Sequence, residues 1–250
     1  MSNEIRTKLS NRWVVCLFVF KRIFVRIMKY WVSQLRAKVD RVGMPPPWMT
    51  YEEIELICDV LKAVRPRKCL EWGCGYSTRY FSKFLGHQCA WLSIEHNKTW
   101  VDKIMAGISE TANVKIVFIP PNRFPWTDGF WDGSYSDLKD YVEYPRNQKF
   151  DFILVDGRAR VACLQQAYKL CSDFGIVMLH DAQREHYHEA LGVYEHQVML
   201  GGYRASHKKI WIGSHRLPVE KIFSLKRYAG LWKGYKTLGR LSIGGKKLFF

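Results

Sequence analysis

Six residues, Leu70-Glu71-Trp72-Gly73-Cys74-Gly75, restrict the fold more than any other feature of the chain. They close an apolar run that starts at Lys68 and lead into a helical pattern over Ser77–Leu85. An apolar strand, two glycines spaced for a tight turn and a helix behind them form the opening unit of an open α/β sheet. The alternation continues downstream. Strands are expected at Cys89–Ile94, Val114–Ile119, Phe150–Val155 and Gly175–Leu179, with helices at Thr99–Ile108 and Val161–Leu170. An aromatic loop, Pro120–Arg146, separates the third and fourth strands. A helix is expected over Glu185–Met199, then a hairpin of Tyr203–Ser206 with Lys209–Ile212. The fold class this predicts is α/β, doubly wound, Rossmann-like and mostly parallel.

Three segments follow from composition. Residues 44–213 carry the alternating pattern and form the expected catalytic domain; within them Thr50 and Glu53 have the spacing of a capping box for a helix that ends before Pro66. Residues 1–43 hold ten Lys/Arg against two acids, and residues 214–250 are also basic, so most of the formal charge of +16 sits in the flanks. Over residues 5–39 the helical wheel puts Trp13, Leu17, Phe20, Phe24, Ile27 and Trp31 on one side and Arg12, Arg22, Arg26 and Lys29 on the other. That is an N-terminal amphipathic helix suited to an anionic membrane surface. Its unbroken apolar run, Trp13–Phe20, is short of the about 20 residues a spanning helix needs, and no cleavage site follows it. The expected location is therefore cytoplasmic and peripherally membrane-associated. Seven cysteines without a C-x-x-C spacing read as reduced thiols.

The glycine turn allows close approach of a ligand to backbone, and Ser77 or Thr78 can cap the helix behind it. Thr78 stands where a dinucleotide-binding turn has its third glycine. Glu71, two residues before the first glycine, would repel a pyrophosphate but suits a cationic ligand such as S-adenosylmethionine, with its sulfonium and ammonium groups. Glu95, at the end of the second strand, can accept both hydroxyls of a ribose.

The stretches LEWGCGYSTRYFSKF…LSIEHNKTWVDKI and FDFILVDGRARVACLQQAYKL…GIVMLHDAQREHYH resemble class I S-adenosylmethionine-dependent methyltransferases. The second resembles a subset with a V-D-G-R-x-R-x-x-C signature, similar in layout to glucuronoxylan and cation-dependent sugar O-methyltransferases. The resemblance implies that Glu71, Gly73 and Gly75 line the methionine part of the cofactor and that Glu95 holds the ribose. Asp156 and Gly157 would face the methyl group, with His180 and Asp181 beside them. The cation-dependent relatives carry an Asp-Asn pair where this chain has Asp181-Ala182, which sets the sequence apart from a magnesium-type site.

Methyl transfer to a hydroxyl needs its proton removed, by a base or by a metal that lowers its pKa. His180 oriented by Asp181 is one candidate; Asp156 and Asp181 holding Mg2+ or another divalent cation is the other. Arg158 and Arg160 are placed to clamp an anionic group of the substrate. The aromatic loop, with its interspersed acids, is suited to sugars, so the expected acceptor is a hydroxyl on a glycan, glycolipid or lipid-linked small molecule. A second copy of the chain is a further candidate partner. The competing readings are an RNA-binding or RNA-methylating protein working through the basic flanks, a non-catalytic membrane-binding Rossmann protein, and a NAD-linked oxidoreductase. Nucleic acid is disfavoured, because the aromatic stripe of the first helix has no role there.

Overall fold

The computed structural model describes residues 45–108, 113–127, 130–201, 208–222, 228, 240–243 and 246–249. The chain divides into two compact units, Met1–Pro46 and Pro47–Phe250. The amphipathic helix expected over residues 5–39 lies outside the described residues, as does the expected strand Tyr203–Ser206.

Pro47–Phe250 is built on a nine-stranded sheet. In chain order its strands are β1 (Lys68–Trp72), β2 (Ala90–Glu95), β3 (Val114–Phe118), β4 (Phe150–Val155), β5 (Cys171–Leu179), β6 (His196–Gly201), β7 (Lys209–Ser214), β8 (Arg240–Ile243) and β9 (Lys246–Phe249). Their order across the sheet is β3-β2-β1-β4-β5-β7-β6-β8-β9. The first five are parallel; β7 runs antiparallel to β5 and to β6, and β8 and β9 continue antiparallel from β6. The described strands of residues 214–250 thus belong to the same sheet. Strand order reverses between β1 and β4, and a doubly wound sheet opens its ligand crevice beyond the carboxyl ends of its strands at that point.

Helices α1 (Tyr51–Val64), α2 (Tyr76–Leu85), α3 (Lys98–Met105), α4 (Lys139–Glu143) and α5 (Arg160–Leu170) complete the unit. Thr50 and Glu53 close the expected capping box of α1, which ends at left-handed Arg65 just before Pro66. The central strands are buried on both faces: Leu70, Trp72, Ile153 and Val155 pack on one side, Cys69, Phe152 and Leu154 on the other. Cys58, Cys69, Cys74, Cys89, Cys163 and Cys171 are free and buried.

One expected helix is absent. Glu185–Met199 divides into a 3-10 turn, Glu185–Ala190, and strand β6, which takes the place beside β7 that the sequence pattern gave to Tyr203–Ser206. Gly192 breaks the helix, and pairing with β7 buries Val198 and Leu200 on one face, a long-range gain that local periodicity does not contain. Among the described residues no helix is long and apolar enough to cross a membrane.

Candidate active site

The turn after β1 is shaped by contact between two backbones. Gly73 adopts φ 96°, a left-handed region that favours glycine. A Cβ on Gly73 would lie 2.5 Å from Cα of Gly157, in the turn after β4. A Cβ on Gly157 would lie 2.1 Å from the Tyr141 hydroxyl and 2.9 Å from Cα of Gly73. The two glycines therefore let the β1 and β4 turns touch. Gly75 differs: its φ of −171° is open to any residue, and a Cβ there would make ordinary contact with Ser77, 3.4 Å from Oγ and 3.9 Å from N. A Cβ at Gly75 would thus clash with nothing in the protein among the described residues.

Glu71 lies behind this turn with no exposure. Its Oε1 accepts a hydrogen bond from Ser77 Oγ (2.5 Å), and its Oε2 accepts from Thr78 Oγ1 (2.6 Å), Ser93 Oγ (2.6 Å) and Trp91 Nε1 (3.0 Å). Thr78 Oγ1 also accepts from the Gly75 amide (2.9 Å), so the web fixes the turn and the start of α2 together. Burial pushes the Glu71 carboxyl up to about 7, against the four hydrogen bonds that favour its charged form. Ser77 and Thr78, expected as simple caps, are members of this web; Ser93 and Trp91 complete it without having been singled out from sequence.

Glu95 ends β2 nearly buried. Its Oε1 accepts from the amides of His96 and Asn97, both at 2.9 Å, and lies 2.7 Å from His96 Nδ1. No hydrogen bond engages Oε2 among the described residues. The residues that follow Glu95 border a cavity of about 460 Å3, lined by His96, Lys98, Phe124, Trp126 and Arg158 among others. Arg158 donates from Nη1 to the Trp131 carbonyl (3.0 Å) and lies over the Trp126 ring, 5.0 Å from its centre. The buried Trp126 indole N–H has no hydrogen-bond partner among the described residues. A second cavity, of about 390 Å3, opens by Lys68, Ala90 and Val114 at the amino ends of β1–β3, the end of such a sheet that does not bind ligands.

Beyond β4 and β5 the charges alternate. Asp156 Oδ1 lies 2.8 Å from His180 Nδ1 and 3.3 Å from Arg160 Nη2. On its other side His180 Nε2 is 3.5 Å from Oε1 of Glu53, whose Oε2 accepts from the Thr50 amide (2.6 Å). Burial opposes charge on His180, but Asp156 and Glu53 outweigh it and hold the imidazole up to about 10. Burial also opposes charge on Asp156, yet His180 and Arg160 hold its carboxyl below the ordinary range. At neutral pH His180 already carries its second proton, so these partners do not support the base role expected of it. Glu53, read from sequence as a helix cap, is the site residue that was missed.

Arg160 is buried, donating to the carbonyls of Gly157 (2.9 Å), His180 (2.6 Å) and Asp156 (3.2 Å). It ties the ends of β4 and β5 together and is committed to the protein, not free to clamp a substrate. Asp181 adopts φ 57°; its Oδ2 is 3.7 Å from Arg160 and 3.5 Å from Arg184, and its Oδ1 accepts from Gln183 (3.1 Å). Both Asp156 and Asp181 are thus neutralised by Arg160 and protonated His180. A divalent cation placed with them would meet two positive charges. Among the described residues no group of three His, Cys, Asp or Glu is arranged to hold a metal. The donor set does not fit the Mg2+ site considered from sequence.

Among the described acids of the aromatic loop, Asp132 and Asp137 are buried and Asp140 is exposed. Asp137 accepts from Ser134 and Thr127, Asp140 from Asn122 (2.7 Å), and Asp132 from the Arg160 amide (3.2 Å) and the Tyr187 hydroxyl (3.1 Å). These bonds hold the loop together, and the buried pair, Asp132 and Asp137, is withdrawn from sugar hydroxyls.

No family model and no curated protein matches the chain. Solved structures match its fold. The O-methyltransferase TomG from Streptomyces achromogenes, in complex with SAM, is 14% identical with a TM-score of 0.51; the match covers 74% of this chain and 88% of that one. An O-methyltransferase from Bacillus cereus in complex with SAH is 17% identical, with a TM-score of 0.51 and coverage of 74% and 89%. Cofactor-bound Rv0187 from MTB is 14% identical, with a TM-score of 0.53 and the same coverage. The strand order and these matches define the class I methyltransferase fold.

Proposed function

We propose that the chain is an S-adenosylmethionine-dependent O-methyltransferase. The observation that carries this is the state of Glu95: among the described residues one oxygen is fixed by two amides and the other is uncommitted, and the next residues along the chain, His96 to Lys98, line a cavity. The uncommitted oxygen would accept from the ribose hydroxyls. The adenine would enter the cavity between His96 and Arg158, where the Trp126 N–H lacks a partner. The methionine part would lie against the backbone of Gly75, in front of Glu71, a buried carboxylate with no cation paired to it among the described residues. On this reading Arg158 is a cofactor residue, and Asp156 and Gly157 face the transferred methyl group. When bound, the cofactor supplies an electrophilic methyl; the chain orients the acceptor beside Asp156, which stays ionised.

Isothermal titration calorimetry tests the assignment. S-Adenosylmethionine should bind and NAD should not. Glu95→Ala should weaken cofactor binding by about 1–3 kcal/mol, the loss of charged acceptors for two hydroxyls. An unchanged affinity in that variant removes the ribose from Glu95.

The membrane part of the proposal rests on the amphipathic pattern of residues 5–39 and on the basic flanks. The full chain should float with anionic vesicles at low salt, and a chain starting at Met44 should not. Full-length protein that stays with the soluble fraction ends the anchoring idea. Retention on RNA in its place favours the nucleic-acid reading.

A further inference from the structure

We propose that Phe130 and Trp131 form a stacking platform for an aromatic acceptor ring, so that the hydroxyl methylated is a phenolic one. The proposal deepens the methyltransferase reading and rests on it for the chemistry, though not for the binding site.

Two residues that a folded chain normally shelters are held out here. Phe130 is 62% exposed and Trp131 73%. Trp131 also adopts φ 56°, a left-handed conformation unfavourable for a bulky side chain. Such strain persists only where the surroundings impose it, and it concentrates at functional sites.

The imposing contacts are explicit. The Trp131 carbonyl accepts from Arg158 Nη1 (3.0 Å), and the Asp132 carbonyl accepts from the Ala159 amide (2.8 Å). The Asp132 carboxylate accepts from the Arg160 amide and the Tyr187 hydroxyl. The aromatic pair is therefore latched to the loop that directly follows Asp156 and Gly157. Phe130 is fixed a second time: its ring stacks on His186, centroids 4.0 Å apart and planes 4° from parallel. His186 lies in the turn that follows β5. Both loops that border the acceptor side thus hold the platform in place, as a preorganised binding surface requires.

The chemistry of the platform selects its ligand. Sugars are held by stacking together with acceptors for their hydroxyls. Of the described acids of this loop, Asp132 and Asp137 are buried and engaged by the protein, Asp140 accepts from Asn122, and Glu143 accepts from the Tyr135 hydroxyl. What remains is apolar ring face, which suits an aryl ring. The reacting group points the same way. Protonated His180 cannot take a proton at neutral pH, and no metal fits to lower the pKa of an alkyl hydroxyl. A phenol ionises near pH 10 without help, as tyrosine does, and a bound fraction can lose its proton to water. The phenolate oxygen then forms a bond to the methyl carbon as the carbon–sulfur bond breaks, and the electron pair stays on sulfur, leaving a neutral thioether.

Saturation-transfer NMR on the full-length chain with 4-nitrophenol, and separately with methyl glucoside, tests this. The nitrophenol ring protons should receive saturation and the glucoside protons should not. In Trp131→Gly the nitrophenol signal should fall at least fivefold, and Phe130→Ala should weaken it too. Because glycine accepts the left-handed backbone and Trp131 is mostly exposed, the melting temperature of Trp131→Gly should stay level or rise. S-Adenosylmethionine affinity, measured by calorimetry, should change less than twofold. Equal saturation in Trp131→Gly, preference for the glucoside, or a clear fall in melting temperature overturns the platform. So does an intact nitrophenol signal in a Trp131→Gly chain that no longer floats with vesicles, since the residue would then be a lipid contact. If nitrophenol binding depends on Trp131 but the cofactor does not bind at all, the aryl site stands and the methyltransferase reading fails.

Discussion

Glu71→Ala should lower the free energy of unfolding by about 3–5 kcal/mol, read as a shift of the urea midpoint with an unchanged slope. The fully buried carboxylate accepts from Ser77, Thr78, Ser93 and Trp91. Removing it leaves several donors in a dry site, where each orphan costs about 1–3 kcal/mol. Part of the loss is recovered, because Ser93 already lies 3.0 Å from the Trp91 N–H and 3.2 Å from Thr78 Oγ1. A pH signature accompanies this effect. Burial raises the Glu71 carboxyl from its ordinary 4.5 to about 7, so the folded chain holds this proton more tightly than the unfolded chain. Its contribution to stability is fully present below about 4.5 and is lost as pH rises through about 7, a change of about 3 kcal/mol. Glu71→Gln should abolish that slope, even though the amide cannot accept from every donor. The same group couples to the ligand. A cation bound near the turn favours the ionised carboxylate, so S-adenosylmethionine binding near pH 7 should release a proton. Calorimetry in buffers of different ionisation enthalpy measures it. A urea shift below about 1 kcal/mol, or a slope that survives Glu71→Gln, would show that the carboxylate does not organise the turn.

What the sequence disclosed was set by the range of the interactions. The β1 turn and α2 were legible because a strand, its turn and its helix are written in consecutive residues, and the position of Glu95 at the end of β2 followed from the same alternation. Glu53 was legible as half of a capping box, and that role is real: its Oε2 accepts from Thr50. Its other oxygen faces His180, 127 positions along the chain, and no spacing rule signals that contact. Asp156 raises the imidazole most and Glu53 adds to it, and this second carboxylate was the one the sequence did not disclose. Arg160 shows the same limit. One turn from Asp156, it looked free to meet a substrate, but the carbonyl of His180 on the neighbouring strand claims it. Strand β6 was hidden for a related reason, since its pattern became decisive only with β7 beside it.

The last large effect separates two glycines that look equivalent in sequence. Gly73→Ala should destabilise the fold by about 3 kcal/mol or more, whereas Gly75→Ala should leave the urea midpoint close to that of the parent chain. At Gly73 the added methyl would lie 2.5 Å from Cα and 2.6 Å from N of Gly157. Those are backbone atoms and cannot rotate away. Overpacking of this kind costs about 1–3 kcal/mol, and the left-handed φ of 96° adds about 1 kcal/mol for any residue with a Cβ. Gly157 cannot yield, because its other face lies against the Tyr141 hydroxyl. At Gly75 the backbone is extended and the added methyl would make ordinary contact with Ser77, 3.4 Å from Oγ and 3.9 Å from N. Whatever requires a glycine there is not the protein itself. Gly75→Ala should therefore weaken S-adenosylmethionine binding at least tenfold with a normal melting curve. The Gly73 variant loses stability first and binding with it. Parallel urea titration and calorimetry on the two variants distinguish the outcomes. A Gly75→Ala chain that binds the cofactor normally would mean that the methionine part does not lie against Gly75.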